Sequence, residues 1–179
     1  MRKIISGLFI SLDGVVEAPD QWHFPYFDED MGNAVQAMMN DSEAMLLGRR
    51  TYEEFAGYWP TSTDDLAGHM NGTPKYVVSN TLTSADWQNS TLVSGDVVKE
   101  LARIKEEPGG NLAITGSGTL VASLLRAGLL DELHLLVHPI VVGSGKRLFE
   151  DGAQVPLRLT DSTTFSTGVL HLVYGRADS

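Results

Sequence analysis

The sequence predicts an α/β fold: a three-layer, mostly parallel mixed sheet with helices on both faces and an antiparallel C-terminal hairpin. Short apolar segments alternate with segments of helical periodicity along most of the chain, and the last two segments are strand-like with a short turn between them. The 179 residues contain no repeat, low-complexity tract or Pro/Ser-rich linker, which predicts a single domain over residues 1–179.

The predicted strands are short and rich in Ile, Leu and Val. Four of them, expected to run parallel, cover residues 3–12, 44–47, 74–79 and 112–115. A fifth segment, 133–142, contains Pro139, which predicts a bend or a sheet edge because proline cannot donate to the ladder. Segments 155–165 and 168–174, joined at Ser166-Thr167-Gly168, predict the closing hairpin.

The predicted helices follow from apolar spacing and end signals. The first begins near Asp28, and the second covers 51–57. The third begins at the N-cap Asp96, and the fourth covers 119–127 and ends before Gly128. Two prolines within 19–27 predict an irregular aromatic loop instead. Ligands on open α/β sheets bind beyond the carboxyl ends of the parallel strands, so the loops after the four parallel strands form the candidate site.

Composition excludes several classes of function. The chain has no cysteine, which excludes a disulfide framework, a thiolate nucleophile and a cysteine-ligated metal. A net charge of −10 argues against a broad nucleic-acid or anionic-membrane surface. The apolar N-terminal run is too short for a signal h-region or a membrane span, so a cytoplasmic protein is expected.

The strongest local motif is a strand that enters Gly-x-Gly and then a helix. Its glycines permit close backbone approach, and the first N–H groups of the helix can hold a diphosphate. Val121 stands where the third glycine of a dinucleotide fingerprint would be, and a tight strand-to-helix turn explains the motif equally well. The candidate cofactor-binding residues are Gly116, Ser117, Gly118, Thr119 and Leu120.

A second turn carries two adjacent arginines. Gly48, Arg49, Arg50 and Thr51 follow a buried strand and open a helix. Cations at a helix start oppose the helix dipole at a cost of about 0.3–1 kcal/mol each, which an anionic ligand would offset. Guanidinium forks suit phosphate, so we expect a 2′-phosphate or a diphosphate here. The alternative interpretation is a pair of solvated surface arginines.

Further candidates lie in the other loops. Ser79 and Asn80 end a third strand and could meet ribose or phosphate, although Ser-Asn is also ordinary turn chemistry. Asp13, a candidate catalytic carboxylate, and Gly14 end the first strand, where an Asp-Gly turn is the alternative interpretation. The other candidate substrate contacts, for which core packing is the alternative, are Trp22, Tyr52 and Trp59.

Metal-dependent and hydrolytic chemistry find little support in the sequence. His134 and His138 share one face of a strand, but no third ligand is evident, so we expect no metal site. Neither a Gly-x-Ser-x-Gly elbow nor a His-Glu-x-x-His motif occurs.

In combination, these motifs resemble the dihydrofolate-reductase-like superfamily. The chain is most similar to the C-terminal reductase domain of the bifunctional riboflavin-biosynthesis deaminase–reductase. The motifs that carry the resemblance are Ser11-Leu12-Asp13-Gly14, Leu46 to Glu53, Tyr76 to Asn80, Ile114 to Gly118 and Leu129 to Gly145.

The resemblance implies NADPH as the cofactor and direct hydride transfer to substrate without a metal. The resemblance implies that residues 49–51 (Arg49, Arg50 and Thr51) bind the adenosine phosphates. It likewise implies that Ser79 and Asn80 lie on the adenine-ribose side and that residues 116–120 bind the diphosphate. Asp13 and Gly14 correspond to the mobile loop over nicotinamide and substrate. The protein would then contribute orientation and water exclusion.

One departure concerns the residue that anchors the pterin in dihydrofolate reductases. Those enzymes carry an acid two positions after the proline of Trp-x-x-Pro, whereas here Phe27 occupies that position and Asp28 follows one residue late. One helical step rotates a side chain by about 100°. Asp28 is therefore only a candidate substrate contact.

The leading hypothesis is an NADPH-dependent reductase acting on a ribosylamino-pyrimidine-like or related heterocyclic small molecule, of the 5-amino-6-(5-phosphoribosylamino)uracil reductase type. Dihydrofolate reductase proper and a non-catalytic nucleotide-binding protein are the alternatives. Because related proteins are commonly dimers and the C-terminal hairpin can pair with a second copy, we expect a homodimer.

Overall fold

Eight strands form one mixed sheet in the computed structural model, which describes residues 1–177. The strands are β1 (Ile4–Ser11), β2 (Ser42–Gly48), β3 (Lys75–Val78), β4 (Ser90–Val93), β5 (Asn111–Thr115), β6 (Glu132–His138), β7 (Leu157–Thr164) and β8 (Leu170–Arg176). Their order is β4-β3-β2-β5-β1-β6-β8-β7, parallel from β4 to β6 and antiparallel in the pairs β6–β8 and β8–β7. The predicted fold class is confirmed.

Helices cover both faces of this sheet. They are α1 (Glu29–Asn40), α2 (Arg49–Tyr58), α3 (Ala67–Gly72), α4 (Val97–Glu106) and α5 (Gly118–Arg126). Helices α4 and α5 pack Leu101, Ile104 and Leu124 against one face of the sheet. On the other face, α1 packs Met31 beside β6, and α2 packs Tyr52 beside β2 and β3. Helices α1 and α2 thus lie side by side over the sheet, with the centre of the sheet between them.

Several element boundaries differ from the predicted ones. The strand predicted over 133–142 ends at His138, because Pro139 has no N–H for the ladder. Helix α2 begins at Arg49, two residues earlier than the predicted start at Thr51, so both arginines stand in its first turn. The short elements β4 and α3 were missed because neither carries an extended apolar pattern. None of the helices within residues 1–177 is both long enough and apolar enough to cross a bilayer.

Candidate functional site

Three chain turns converge at the carboxyl edge of the parallel strands. Gly48, at the end of β2, is in register with Val78 at the end of β3, and Met45 of β2 is in register with Ala113 of β5. The turn after β2 and the turn after β5 touch, because a Cβ on Gly48 would overlap the Ser117 hydroxyl. A Cβ on Gly116 would lie 3.5 Å from the Thr51 side chain. Gly48 is therefore needed for the close approach of the two turns, whereas Gly116 makes only ordinary contact and glycine is favoured there by its φ of 100°.

The turn after β5 presents unpaired backbone donors. Gly116 has φ 100° and Ser117 has φ 56°, both in the left-handed region, and no side chain caps α5. The first N–H groups of an α-helix have no intrahelical acceptor, so those at the start of α5 remain available to an anion. The Lys146 ammonium donates to the Thr119 hydroxyl in the first turn of α5 and adds positive charge there.

Lys146 was missed by the sequence reasoning because it reaches α5 from a distant loop, residues 139–149. This loop is tied to the loop after β1: Val16 N–H donates to the Lys146 carbonyl at 2.9 Å, and Lys146 N–H donates to the Glu17 carboxylate at 2.7 Å. Leu148 N–H donates to the Gly14 carbonyl at 3.0 Å. The pairing of two loops far apart in sequence thus fixes the position of Lys146, and no local pattern signals it.

The two arginines differ in their surroundings. The Arg49 guanidinium forms an ion pair with Glu53 at 2.9 Å, one helical turn later. Arg50 is exposed and, within residues 1–177, has no hydrogen bond or ion pair. Arg50 is therefore the freer of the two to meet an anion at the start of α2, where no side-chain cap competes with it.

Ser79 and Asn80 hold the third turn together. The buried Ser79 hydroxyl accepts from the N–H groups of Thr81 and Leu82, and Asn80 Oδ1 accepts from Gly95 N–H at 2.6 Å. Both side chains therefore shape the turn, and the nucleotide contact assigned to them stays a prediction.

A cavity of about 570 Å³ lies between α1 and α2, over the centre of the sheet. It begins at the converging turns, since Thr51, Gly116 and Ser117 line it. Its walls are mainly apolar: Val35, Met38 and Met39 come from α1, Phe55 from α2, and Phe9 and Leu136 from the sheet. The apolar residues of α1 recur at helical spacing in the sequence, and this pattern does not distinguish a packed core from a cavity wall.

Asp13 lies outside this cavity, in a network that joins two loops. Its carboxylate accepts from the Ser11 hydroxyl at 2.6 Å, from Gly143 N–H at 2.9 Å and from Val142 N–H at 3.0 Å. These hydrogen bonds lower the pKa of Asp13 to about 2. The carboxylate holds loop 139–149 in place, and the catalytic role assigned to Asp13 stays a prediction; Gly14, with φ 86°, makes the turn beside it.

The structure also places the predicted substrate contacts away from the cavity. Trp22 is buried, and its Nε1 donates to the Glu17 carbonyl. Asp28 caps α1 by accepting from Met31 N–H and also accepts from the Ser166 hydroxyl. The same Met31 hydrogen bond is the main cause of the lowered pKa of Asp28.

The two aromatic candidates on and after α2 face β3 and the segment that follows it. The Tyr52 hydroxyl accepts from Trp87 N–H at 3.0 Å. Both residues belong to a buried apolar cluster, and Trp59 packs against that cluster. Their rings pack into the region around α2 and β3, as the alternative interpretation of core packing expects, and their contact with substrate stays a prediction.

The histidines singled out from the sequence have protein partners. His134 Nδ1 lies 3.0 Å from His171 Nε2, and the buried His138 donates through Nδ1 to the Leu136 carbonyl if that nitrogen carries the proton. Across residues 1–177, no cluster of three or more His, Asp or Glu side chains is arranged to hold a metal ion.

Comparison with known proteins identifies relatives along nearly the whole chain. The family model of the RibD C-terminal domain matches residues 2–171. The uncharacterized protein YyaP of Bacillus subtilis (strain 168) is 31% identical over 180 aligned positions, covering 97% of this chain and 94% of YyaP.

Solved structures share the fold at low sequence identity. A protein of Shewanella sp. PV-4, named as a candidate riboflavin biosynthesis protein, superposes with a TM-score of 0.80 at 22% identity and covers 99% of this chain and 100% of that one. The dihydrofolate reductase of Enterococcus faecalis, in complex with NADP(H) and RAB-propyl, has a TM-score of 0.64 at 16% identity and covers 98% of this chain and 97% of that one. At these identities, the two structures show the fold alone.

Proposed function

Because the chain belongs to the RibD C-terminal domain family, we propose that it is an NADPH-dependent reductase that transfers hydride to a heterocyclic small molecule bound in the cavity between α1 and α2. One observation carries the proposal: turns suited to phosphate converge at the mouth of a mainly apolar cavity. The names of the neighbours support it, since they include a pyrimidine reductase-like protein of Corynebacterium diphtheriae and a dihydrofolate reductase in complex with NADP(H).

The residues at the converging turns fit a phosphorylated dinucleotide. The uncapped start of α5, together with Lys146, would hold the diphosphate, and the unpaired Arg50 would meet the 2′-phosphate. A cavity that continues from these turns allows the reduced ring of the cofactor to lie against the acceptor. NADPH would supply the hydride.

The chain itself orients the cofactor and the acceptor and excludes water from the cavity. Met38, Phe9 and Leu136 line the cavity and exclude water from the place where hydride would pass, which favours direct transfer over side reactions. None of the predicted or observed site residues is required as a covalent nucleophile.

Dihydrofolate reduction is disfavoured as the activity. The Asp28 carboxylate is occupied by Met31 N–H and by the Ser166 hydroxyl, and Asp28 does not line the cavity. A carboxylate that anchors a pterin would have to face the bound ring.

The proposal extends to assembly in solution. We infer a homodimer, because β7 is an edge strand of the sheet with almost all of its residues exposed, and edge strands can pair with a second copy. Light scattering coupled to gel filtration measures this directly: a mass twice that of the chain is expected, and a monomeric mass at all concentrations would contradict it. The cytoplasmic location stays a prediction.

Titration of the protein with NADPH, followed by nicotinamide fluorescence, tests the proposed function. We expect saturable binding and slow oxidation of NADPH in the presence of suitable heterocyclic acceptors. Absence of binding at about 1 mM NADPH would refute the proposal. Binding without oxidation across a panel of pterins, pyrimidines and carbonyl compounds would favour the non-catalytic alternative.

A further inference from the structure

The charged side chains that line the cavity are both acidic. Asp20 and Glu54 line it, and among the lining residues within 1–177 none is a lysine, an arginine or a histidine. Both carboxylates are exposed, so they stay hydrated while contributing negative charge to the cavity. A ligand group that enters the cavity therefore meets negative charge.

The cationic side chains lie at the converging turns instead. Lys146 is held at the start of α5 by Thr119, and Arg49 is paired with Glu53 on α2. These groups, with Arg50, are positioned for the cofactor's phosphates. None of the three lines the cavity itself, so within residues 1–177 the cavity lining holds no cation for a second phosphate.

The wall that the acceptor would contact is adaptable and apolar. Met38 packs directly over Gly7 of β1, where a Cβ would lie 2.8 Å from the Met38 sulfur. Thioether side chains fit irregular surfaces and make favourable contacts with aromatic rings. Met38 and Phe9 both line the cavity, so a planar ring bound there would contact apolar side chains.

Building on the proposed function, we propose that the acceptor is an unphosphorylated, uncharged or weakly basic ring compound whose N–H groups donate to Glu54 or Asp20. A phosphate monoester of the riboflavin-pathway type is a poor ligand for this cavity. The reduced nicotinamide dinucleotide donates hydride to the carbon of a C=N or C=O bond. A C–H bond forms, the π electrons move to nitrogen or oxygen, and that atom takes a proton from water. The products are the amine or alcohol and the oxidised dinucleotide.

The test compares two ligands that differ only in a phosphate: 5-amino-6-ribitylaminouracil and its 5′-phosphate. Each is titrated calorimetrically into protein saturated with NADP⁺. We expect the unphosphorylated compound to bind about tenfold more tightly, since each carboxylate repels the phosphate by a modest, screened amount. The difference should shrink as salt concentration rises. Equal or tighter binding of the phosphate, or failure of both compounds to bind, would overturn the proposal.

A double variant, Asp20→Asn with Glu54→Gln, identifies the source of the preference. The difference in affinity between the two ligands should disappear in this variant. The amide side chains repel the phosphate less than the carboxylates do, and they accept weaker hydrogen bonds from N–H groups. Glu106→Gln, which changes an exposed carboxylate on α4, is the matched control and should leave the gap unchanged. An undiminished gap in the double variant would contradict the proposal.

Saturation with NADP⁺ is measured separately, so the two proposals fail in different ways. Absence of nucleotide binding refutes the proposed function. The same ligand pair titrated into the free protein still decides the charge argument, because Asp20 and Glu54 belong to the chain itself.

Discussion

The contact between Gly48 and Ser117 offers the sharpest mutational test of the converging turns. A Cβ on Gly48 would overlap Ser117 Oγ and lie 3.1 Å from Ser117 Cβ, so rotation of the hydroxyl alone cannot relieve the Gly48→Ala substitution. Gly48 has φ −75°, which any residue adopts, so the cost comes from overpacking and not from the backbone. Overpacking of this kind destabilises by about 1–3 kcal/mol. The turn after β2 and the turn after β5 would have to move apart.

A substitution at Ser117 should relieve the clash that Gly48→Ala creates. Ser117→Gly removes both clashing atoms, and the left-handed φ of 56° at this position favours glycine. Ser117→Gly alone should therefore be neutral or stabilising, and in the Gly48→Ala background it should recover most of the loss. The expected coupling energy is about 1–3 kcal/mol.

Urea unfolding and NADPH titration of the four proteins measure this coupling. We expect Gly48→Ala to lower both the free energy of unfolding and the affinity for NADPH, and the double variant to regain both. Additive effects would refute the claim that the two turns touch. A loss of stability with unchanged NADPH affinity would show that the nucleotide does not use this junction.

Other substitutions test separate parts of the account. Replacing Arg49 and Arg50 with Ala should lower the affinity for NADPH by about tenfold more than the affinity for NADH, because guanidinium groups recognise the 2′-phosphate. Equal losses of affinity in the two titrations would contradict this. Hydrogen bonds from Ser11, Gly143 and Val142 lower the pKa of Asp13 to about 2, so its contribution to stability is present above the ordinary pKa and lost as pH falls towards 2. In Asp13→Asn, the free energy of unfolding should fall less steeply as the pH is lowered towards 2. An unchanged pH dependence would contradict the stabilising role of the hydrogen bonds to Asp13. Lys75 is buried, donates to the carbonyls of Asn71, Thr73 and Gln88, and faces the Trp87 ring at 4.0 Å. Lys75→Met should cost about 2–4 kcal/mol in urea unfolding, and a loss below about 1 kcal/mol would contradict the role of this ammonium. Burial lowers the pKa of Lys75 to about 8, so the unfolded chain binds more protons between that pH and the ordinary lysine pKa of 10.5. The wild-type free energy of unfolding should therefore rise with pH in that window relative to Lys75→Met.

The sheet could be predicted because its signals are local. Apolar strands ending at Gly48 and Thr115, and helices starting at Asp28 and Asp96, are each specified by a few neighbouring residues. The convergence of three turns followed from the parallel order of the strands, since the carboxyl ends of parallel strands meet at one edge.

The acceptor side could not be predicted because it depends on contacts between distant segments. Asp13 reads as a free carboxylate in the sequence, yet Val142 and Gly143 reach it from another loop. Lys146 meets Thr119 through that same loop. Met38 has the spacing of a core residue, and only the separation of α1 from α2 makes it a cavity wall.

A crystal structure of the protein in complex with NADP⁺ tests the central claim most directly. We expect the diphosphate against the N–H groups of Gly118 and Thr119, the 2′-phosphate near Arg50, and the nicotinamide ring inside the cavity between α1 and α2. A nucleotide bound elsewhere, or a nicotinamide ring kept out of the cavity by its side chains, would contradict the account.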